Sequence, residues 1–231
     1  MAKREIKWSS IVHTVYNLLL APVLLLMVWG GLTELSILVA ILSKWRIFTV
    51  KPRHLIANIR SNATDIIVNL GSLSFIIQSD TASVQLAWTL WLAIWLIFIK
   101  PKSTPGWVGF QAMAGMVIGL SALMQFSNSI ALSLLVFSTW LIAMSTARHF
   151  LSSYEDSWAR VISYIWGIFV AELAWVLYQW QLVYIFVPQI VLIVSVIGFA
   201  LAHIYAANKQ DKMTRRILSD HIVLTLLLLA T

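Results

Sequence analysis

Glu172 is a carboxyl side chain in the middle of a long apolar segment. It follows Arg160 by about twelve residues, or roughly 18 Å along a helix, which places it near the midplane of a membrane. A charge in hydrocarbon costs a few kcal/mol on insertion scales, so an acid at this depth is a candidate functional group. It indicates a proton or cation carrier, and the alternative is a neutral carboxyl that hydrogen-bonds a neighbouring helix.

A second polar feature repeats at helical spacing in an earlier apolar segment. Asn62, Asp65, Asn69 and Ser72 follow an i, i+3, i+7, i+10 pattern and so share one helix face. Such a face must meet protein or water rather than lipid. We expect Asp65, Asn69 and Ser72 to line a transport path together with Glu172.

Four further groups lie within a few residues of basic loop residues, at a similar depth in their segments. They are His13, His203, Asp220 and His221. They are candidates for a proton relay or a ligand site, and pairs of histidines on different helices would suit haem. Asp220 and His221 point about 100° apart on a helix, so at most one is expected in a site. The alternative is that these groups, like Asp65, reach headgroup water or pair with Lys and Arg of adjacent loops.

Trp88, Trp91 and Trp95 recur at i, i+3, i+7 and form one aromatic face. This face would suit an apolar or cationic ligand, although packing or lipid contact is the commoner use of such a stripe. The sequence contains no Cys, which excludes disulfides, thiolate nucleophiles and Cys-ligated metals. It also contains no HExxH, GxSxG or Walker A motif, and it predicts no metal site or catalytic residue.

The elements that position these groups are membrane helices. Of 231 residues, 60% are apolar and 11% charged, with a mean hydropathy of +0.86. This leaves too little polar surface for a soluble globule. We predict an all-α polytopic membrane bundle in a single membrane domain, residues 1–231, with about nine transmembrane helices. The predicted spans are residues 11–29, 32–45, 63–78, 84–99, 107–126, 130–147, 161–180, 183–206 and 217–230.

Charge distribution sets the predicted orientation. When these spans are threaded back and forth, all 16 Lys and Arg residues fall on one side. The positive-inside rule then places the N-terminus in the cytoplasm and the C-terminus outside. The net charge of +7 is spread over short loops, which favours anionic lipid headgroups as partners and not nucleic acid. A homo- or hetero-oligomer is compatible with the sequence.

Two local patterns add hypotheses about architecture. Gly71, Gly119 and Gly167 are evenly spaced within similar apolar segments, which suggests three parallel helical-hairpin repeats. Chance similarity of Leu-rich helices is the alternative. In the longest basic loop, Leu55, Ile56 and Ile59 alternate with polar residues, which predicts a short amphipathic turn at the membrane surface.

The sequence therefore favours a small transporter or channel-like protein for a proton, cation or small solute. The competing hypothesis is a membrane assembly subunit or a histidine-ligated haem protein. An enzyme acting on a lipid headgroup, with Asp65, Asp220 or a histidine as base, is the third. The substrate and any cofactor are left undetermined by the residues.

Overall fold

The fold is helical, as the long apolar segments predict. A computed structural model describes residues 8–45, 51–178, 183–184 and 187–230. The helices are α1 (Trp8–Trp29), α2 (Thr33–Leu42), α3 (Pro52–Ser61), α4 (Ala63–Gln78), α5 (Ala82–Ile94), α6 (Pro105–Gln125), α7 (Leu132–Ser152), α8 (Ala159–Leu177), α9 (Gln189–Lys209) and α10 (Arg215–Ala230). A π-helical turn, Trp95–Ile99, continues α5, and two-residue strands β1 (Val183–Tyr184) and β2 (Val187–Pro188) pair antiparallel before α9.

Within the described residues, five helical segments are long and apolar enough to cross a membrane. They are Ala82–Ile99, Pro105–Gln125, Leu132–Ser152, Ala159–Leu177 and Gln189–Lys209. Three shorter apolar segments, Val15–Trp29, Thr33–Leu42 and Ala63–Gln78, fall below that length. The chain is thus a multi-pass membrane protein by its helices, while the count of nine spans and the three repeats stay predictions.

Several helix ends differ from the predicted spans for local reasons. The 183–206 span begins only at Gln189, because Pro188 precedes the first helical turn and the residues before it form the short ladder. The 32–45 span ends early, at Leu42. Helix α6 begins at Pro105, which suits the first helical position because proline lacks the N–H that would be unpaired there. Residues 179–180 of the 161–180 span lie outside the described residues.

The chain divides into two compact units, residues 1–103 and 104–231. A single membrane domain over residues 1–231 remains a prediction. In unit 1, α1 and α2 form a hairpin that turns at Gly31, whose φ is +73°. The Leu32 N–H donates to the Met27 carbonyl and the Gly31 N–H to the Val28 carbonyl, the Schellman arrangement that ends a helix.

The core of unit 1 lies where α1 and α4 pack against α5. Leu24, Val68, Ile76 and Leu92 are fully buried there. Helix α2 packs on α1 and α4. Where the sequence predicts a short amphipathic turn, the structure has the ten-residue helix α3. Ile56 on this helix is 77% exposed, as expected for a helix that lies at a membrane surface.

The core of unit 2 is built by α6, α7, α8 and α9, with Leu120, Ala143, Val170 and Val194 buried together. Helices α7 and α8 approach closely at Gly167. A Cβ added there would lie 2.9 Å from Met144 Cβ and 3.1 Å from the Trp140 carbonyl oxygen. The absence of a side chain therefore permits this helix contact.

Candidate functional site

The most concentrated polar site in unit 1 surrounds Asp65, in the first turn of α4. Its Oδ2 accepts from Lys44 Nζ at 2.6 Å and from Lys100 Nζ at 2.7 Å. Its Oδ1 accepts from the Trp95 indole N–H at 3.0 Å. We call these four residues the Asp65 cluster. Because Asp65 is only 8% exposed, these contacts replace the water that a buried carboxylate would lose.

Three helix ends bring the Asp65 cluster together. Lys44 follows the last turn of α2, Asp65 lies at the amino end of α4, where the helix dipole favours negative charge, and Trp95 and Lys100 border the π-helical turn. In a regular α-helix, side chains five residues apart point about 140° apart. The Lys100 N–H donates to the Trp95 carbonyl, a five-residue repeat that brings both side chains to the carboxylate.

The charges of the Asp65 cluster do not balance. Two ammonium groups contact one carboxylate oxygen, and Lys44 is only 8% exposed at its side chain. The fully ionised cluster carries an excess positive charge. Such a site attracts anions and repels cations.

A row of buried polar groups continues along α4 from the Asp65 cluster. Asn69 is 2% exposed and Ser72 is fully buried. The amide N and O atoms of Asn69 and the Ser72 hydroxyl have no hydrogen-bond partner among the described residues. Since buried polar atoms are usually paired, these side chains are suited to bind a polar solute or water. We call Asp65, Asn69 and Ser72 the polar row.

Asn62, the first member of the expected stripe, does not join the polar row. It lies at the junction of α3 and α4, and its amide donates to the Asn58 carbonyl at 2.9 Å. Its role is therefore local to the helix junction.

The three tryptophans of α5 and its π-helical turn lie against α4. Trp88 stacks on Phe75 with ring centroids 4.3 Å apart, and Trp95 bonds Asp65. Trp91 lies between them along α5, and its ring centroid is 6.3 Å from that of Trp95. Its buried indole N–H has no acceptor among the described residues. Trp88 therefore packs on α4, Trp95 donates to Asp65, and Trp91 adds a buried donor next to the Asp65 cluster.

Unit 2 contains a second carboxylate site, which the sequence analysis did not identify. Asp156 Oδ2 accepts from the Tyr205 hydroxyl at 2.5 Å and from Lys209 Nζ at 2.9 Å, and Oδ1 accepts from the Trp158 amide. We call these four residues the Asp156 cluster. The Tyr205 hydrogen bond, then those from Lys209 and Trp158, lower the pKa of Asp156 far below its ordinary value.

Glu172 lies in unit 2, on an outward face of α8. Its side chain is exposed, and Trp175 and Val176 beside it are 60% and 58% exposed. Within the described part of the chain, Glu172 has no hydrogen bond or ion pair. The structure does not bring it into the interior of its own unit, and its place in a transport path stays a prediction.

Two of the predicted histidines, His203 and His221, lie in contact. His203 on α9 and His221 on α10 stack with ring centroids 4.4 Å apart and planes 10° apart, next to Phe199. Axial ligation of one haem iron needs two ring nitrogens that face each other across the metal, which parallel stacked rings do not provide. The side chain of His13 lies outside the described residues.

Asp220 forms an i, i+4 ion pair with Arg216 at 3.7 Å, with both side chains exposed. It therefore lies apart from any buried site. Among the residues that the structure describes, no group of three or more His, Asp or Glu side chains could hold a metal ion.

The basic segments of each unit come together at one end. Lys44 and Lys100 share Asp65 in unit 1, and Lys209 meets the loop that holds Asp156 in unit 2. That all the basic loops share one side of a membrane stays a prediction. Which side faces the cytoplasm stays a prediction.

No family model, curated protein or solved structure matches this chain. The residues and their geometry are therefore the basis for a functional proposal.

Proposed function

We propose that this membrane protein is a small transporter or channel-like protein whose solute passes along the polar row of unit 1. The observation that supports this proposal is that, among the described residues, the buried side-chain atoms of Asn69 and Ser72 on α4 have no hydrogen-bond partner. An unpaired buried donor or acceptor costs about 1–3 kcal/mol. A passing solute or water that pairs with these atoms would offset this cost.

The excess positive charge of the Asp65 cluster narrows the class of solute. Two ammonium groups at the end of the polar row oppose a metal cation and favour an anion, and lysines can also exchange protons. The proposal is therefore passage of a small anion or a proton, in preference to the cation that the sequence left open. Asp65 holds the two lysines, while Asn69 and Ser72 contact the solute.

Flux through proteoliposomes tests this function. Wild-type protein should raise the flux of chloride, inorganic phosphate or protons above that of protein-free liposomes. The variants Asn69→Leu and Ser72→Ala should each lower the rate by about tenfold, equivalent to one lost hydrogen bond of about 1.4 kcal/mol in the rate-limiting step.

Ser74→Ala is the matched control, because Ser74 lies on the same helix but accepts from the Gln78 side chain at 2.9 Å. Its flux should equal that of wild type, and Glu172→Gln should also leave the rate unchanged. Wild-type flux no higher than in protein-free liposomes, or equal flux in all variants, would refute a transport role for unit 1.

A second candidate function is a membrane assembly subunit. The exposed Glu172 on α8 favours it, because a carboxyl on an apolar helix face is costly in lipid unless a partner covers it. In this case Glu172→Gln should change the size of the complex extracted in mild detergent. An unchanged size by light scattering would argue against this function.

A further inference from the structure

Unit 2 contains a partly open cavity that plays no part in the proposed transport, and Tyr205 of the Asp156 cluster lines it. Its volume is about 400 Å³, within the range of about 300–1,000 Å³ typical of ligand sites. It lies among α6, α7, α8 and α9, and small residues on three of these helices leave the space open: Gly109, Ala112, Ala147, Gly198 and Ala202.

The walls of the cavity are apolar over most of its length. Met113, Met116 and Trp166 line it, and Met side chains adapt their shape to flexible ligands. The hydroxyl of Thr146 also faces this region but donates to the carbonyls of Ile142 and Ala143 within its own helix. The wall therefore offers little hydrogen bonding and would suit a hydrocarbon chain.

Polar groups are concentrated at one end of the cavity. Tyr205 and Asn208 line that end, and Lys209 follows them at the end of α9. The two chain segments that meet there, residues 148–160 and 209–216, contain six basic and three acidic residues. A ligand with an apolar tail and an anionic head would match both the walls and this end.

We propose that this cavity binds one acyl chain of an anionic phospholipid, whose phosphate lies beside the end of α9. The chain enters the space between Met116, Trp166 and Ala202. The headgroup remains at the membrane surface near Lys209 and Lys212. Membrane lipids surround the helices of a membrane-spanning protein, so an acyl chain can enter the cavity directly from the bilayer.

Cross-linking of the full-length protein in vesicles tests this site. The probe is phosphatidylglycerol with a diazirine near the end of one acyl chain, diluted into phosphatidylcholine. After irradiation and digestion, cross-links should concentrate on cavity residues such as Met113, Met116 and Ala202, and excess unlabelled phosphatidylglycerol should suppress them. Labels spread evenly over outward residues such as Leu90 and Phe98, without competition, would overturn the proposal.

Variants that fill the cavity test whether the cross-linked acyl chain lies inside it. A Cβ at position 198 would lie 3.2 Å from both Met116 Cε and Trp166 Cζ2, so Gly198→Leu fills the space from α9. Ala147→Leu fills it from α7 and serves if the first variant does not fold. Each should lower cavity cross-linking by about tenfold, because excluding two methylenes weakens binding by about that ratio.

Gly106→Leu is the matched control, since a Cβ there would meet no atom within 4 Å. Its cross-linking should equal that of wild type. Unchanged cross-linking in both folded cavity variants would contradict an acyl chain in this space. A phosphatidylcholine probe that labels the cavity as strongly as phosphatidylglycerol would contradict the anionic headgroup.

Discussion

The Asp65 and Asp156 clusters contain similar hydrogen-bond donors but differ in net charge. Each carboxylate accepts from a lysine ammonium and from an aromatic side chain, Trp95 in unit 1 and Tyr205 in unit 2. The Asp156 cluster is electrically neutral, and its Lys209 is 37% exposed, so water shares in its solvation. The Asp65 cluster holds a second lysine and leads into the polar row.

This difference shows that a buried carboxylate alone does not mark function. The Asp156 cluster satisfies its groups and joins the end of α9 to the α7–α8 loop, which is a structural role. The Asp65 cluster leaves an excess charge beside polar atoms that have no partner among the described residues. The proposed transport function rests on this excess charge and these unpaired atoms, rather than on the carboxylate itself.

The largest expected effect comes from Asp65→Asn. This change leaves two ammonium groups without their counter-charge, and breaking a buried ion pair in this way costs about 3–5 kcal/mol in the free energy of unfolding. Asp156→Asn should cost less, because Lys209 can turn to water. Thermal unfolding in the same detergent measures both.

Adding Lys44→Met to Asp65→Asn should recover part of the loss by removing one unpaired charge. Equal losses in Asp65→Asn and Asp156→Asn, with no recovery in the double variant, would remove the distinction between the clusters.

The aromatic donors provide a finer comparison. Trp95→Phe removes an indole N–H from a buried carboxylate and should lower the free energy of unfolding by about 1.5–3 kcal/mol, the range for hydrogen bonds to charged groups. Tyr205→Phe should have a smaller effect, because Asp156 keeps Lys209 and the Trp158 amide. Chemical denaturation in mixed micelles gives the two values, and a larger effect of Tyr205→Phe would be inconsistent with this ranking.

One helix contact in unit 2 depends on a glycine. Besides the ion pair of Asp156 with Lys209, the close approach of α7 and α8 at Gly167 holds the helices of this unit together. Gly167→Ala should destabilise unit 2 by about 1–3 kcal/mol, since the added methyl meets Met144 and backbone at Trp140. Gly106→Ala, in open space, should show no comparable loss in the same thermal unfolding measurement.

The smallest predicted effect is the acid sensitivity of the Asp156 cluster. Its hydrogen bonds lower the pKa of Asp156 in the folded protein. Their stabilisation is therefore fully present above the unfolded value of about 3.9 and is lost as pH falls below it. The difference in unfolding temperature between wild type and Asp156→Asn should shrink below about pH 4. A constant difference down to pH 3 would count against this assignment.

The long apolar segments predicted a helical, multi-pass architecture, because hydrocarbon forces every spanning backbone to satisfy its own hydrogen bonds. The count of nine spans is not confirmed. The i, i+4 spacing of Asp65 and Asn69 also placed them on one face of α4. The sequence did suggest that acids near the loops pair with lysine or arginine, and Asp65 does so. The partners Lys44 and Lys100 were not identifiable, because the π-helical turn that directs Lys100 inward has no clear residue signature.

Glu172 shows that the position of a residue along an apolar segment does not predict which way its side chain points. Its position near the middle of a segment followed from residue counts, but the direction in which it points depends on which face of α8 packs against α7. Gly167 takes that contact and Ala171 is buried, whereas Glu172 lies on an exposed face of α8. Likewise, the pairing of Asp156 with Tyr205 depends on the return of α9, which no local pattern encodes.

Cysteine reactivity tests the central claim most directly, because the chain has no native Cys. Ser72→Cys and Asn69→Cys should react with small water-soluble thiosulfonates in proteoliposomes, and faster with an anionic reagent than with a cationic one. Leu73→Cys and Val68→Cys, buried on the same helix, should stay unreactive. Equal, slow reaction at all four positions would show that the polar row is dry and would contradict its role as a path.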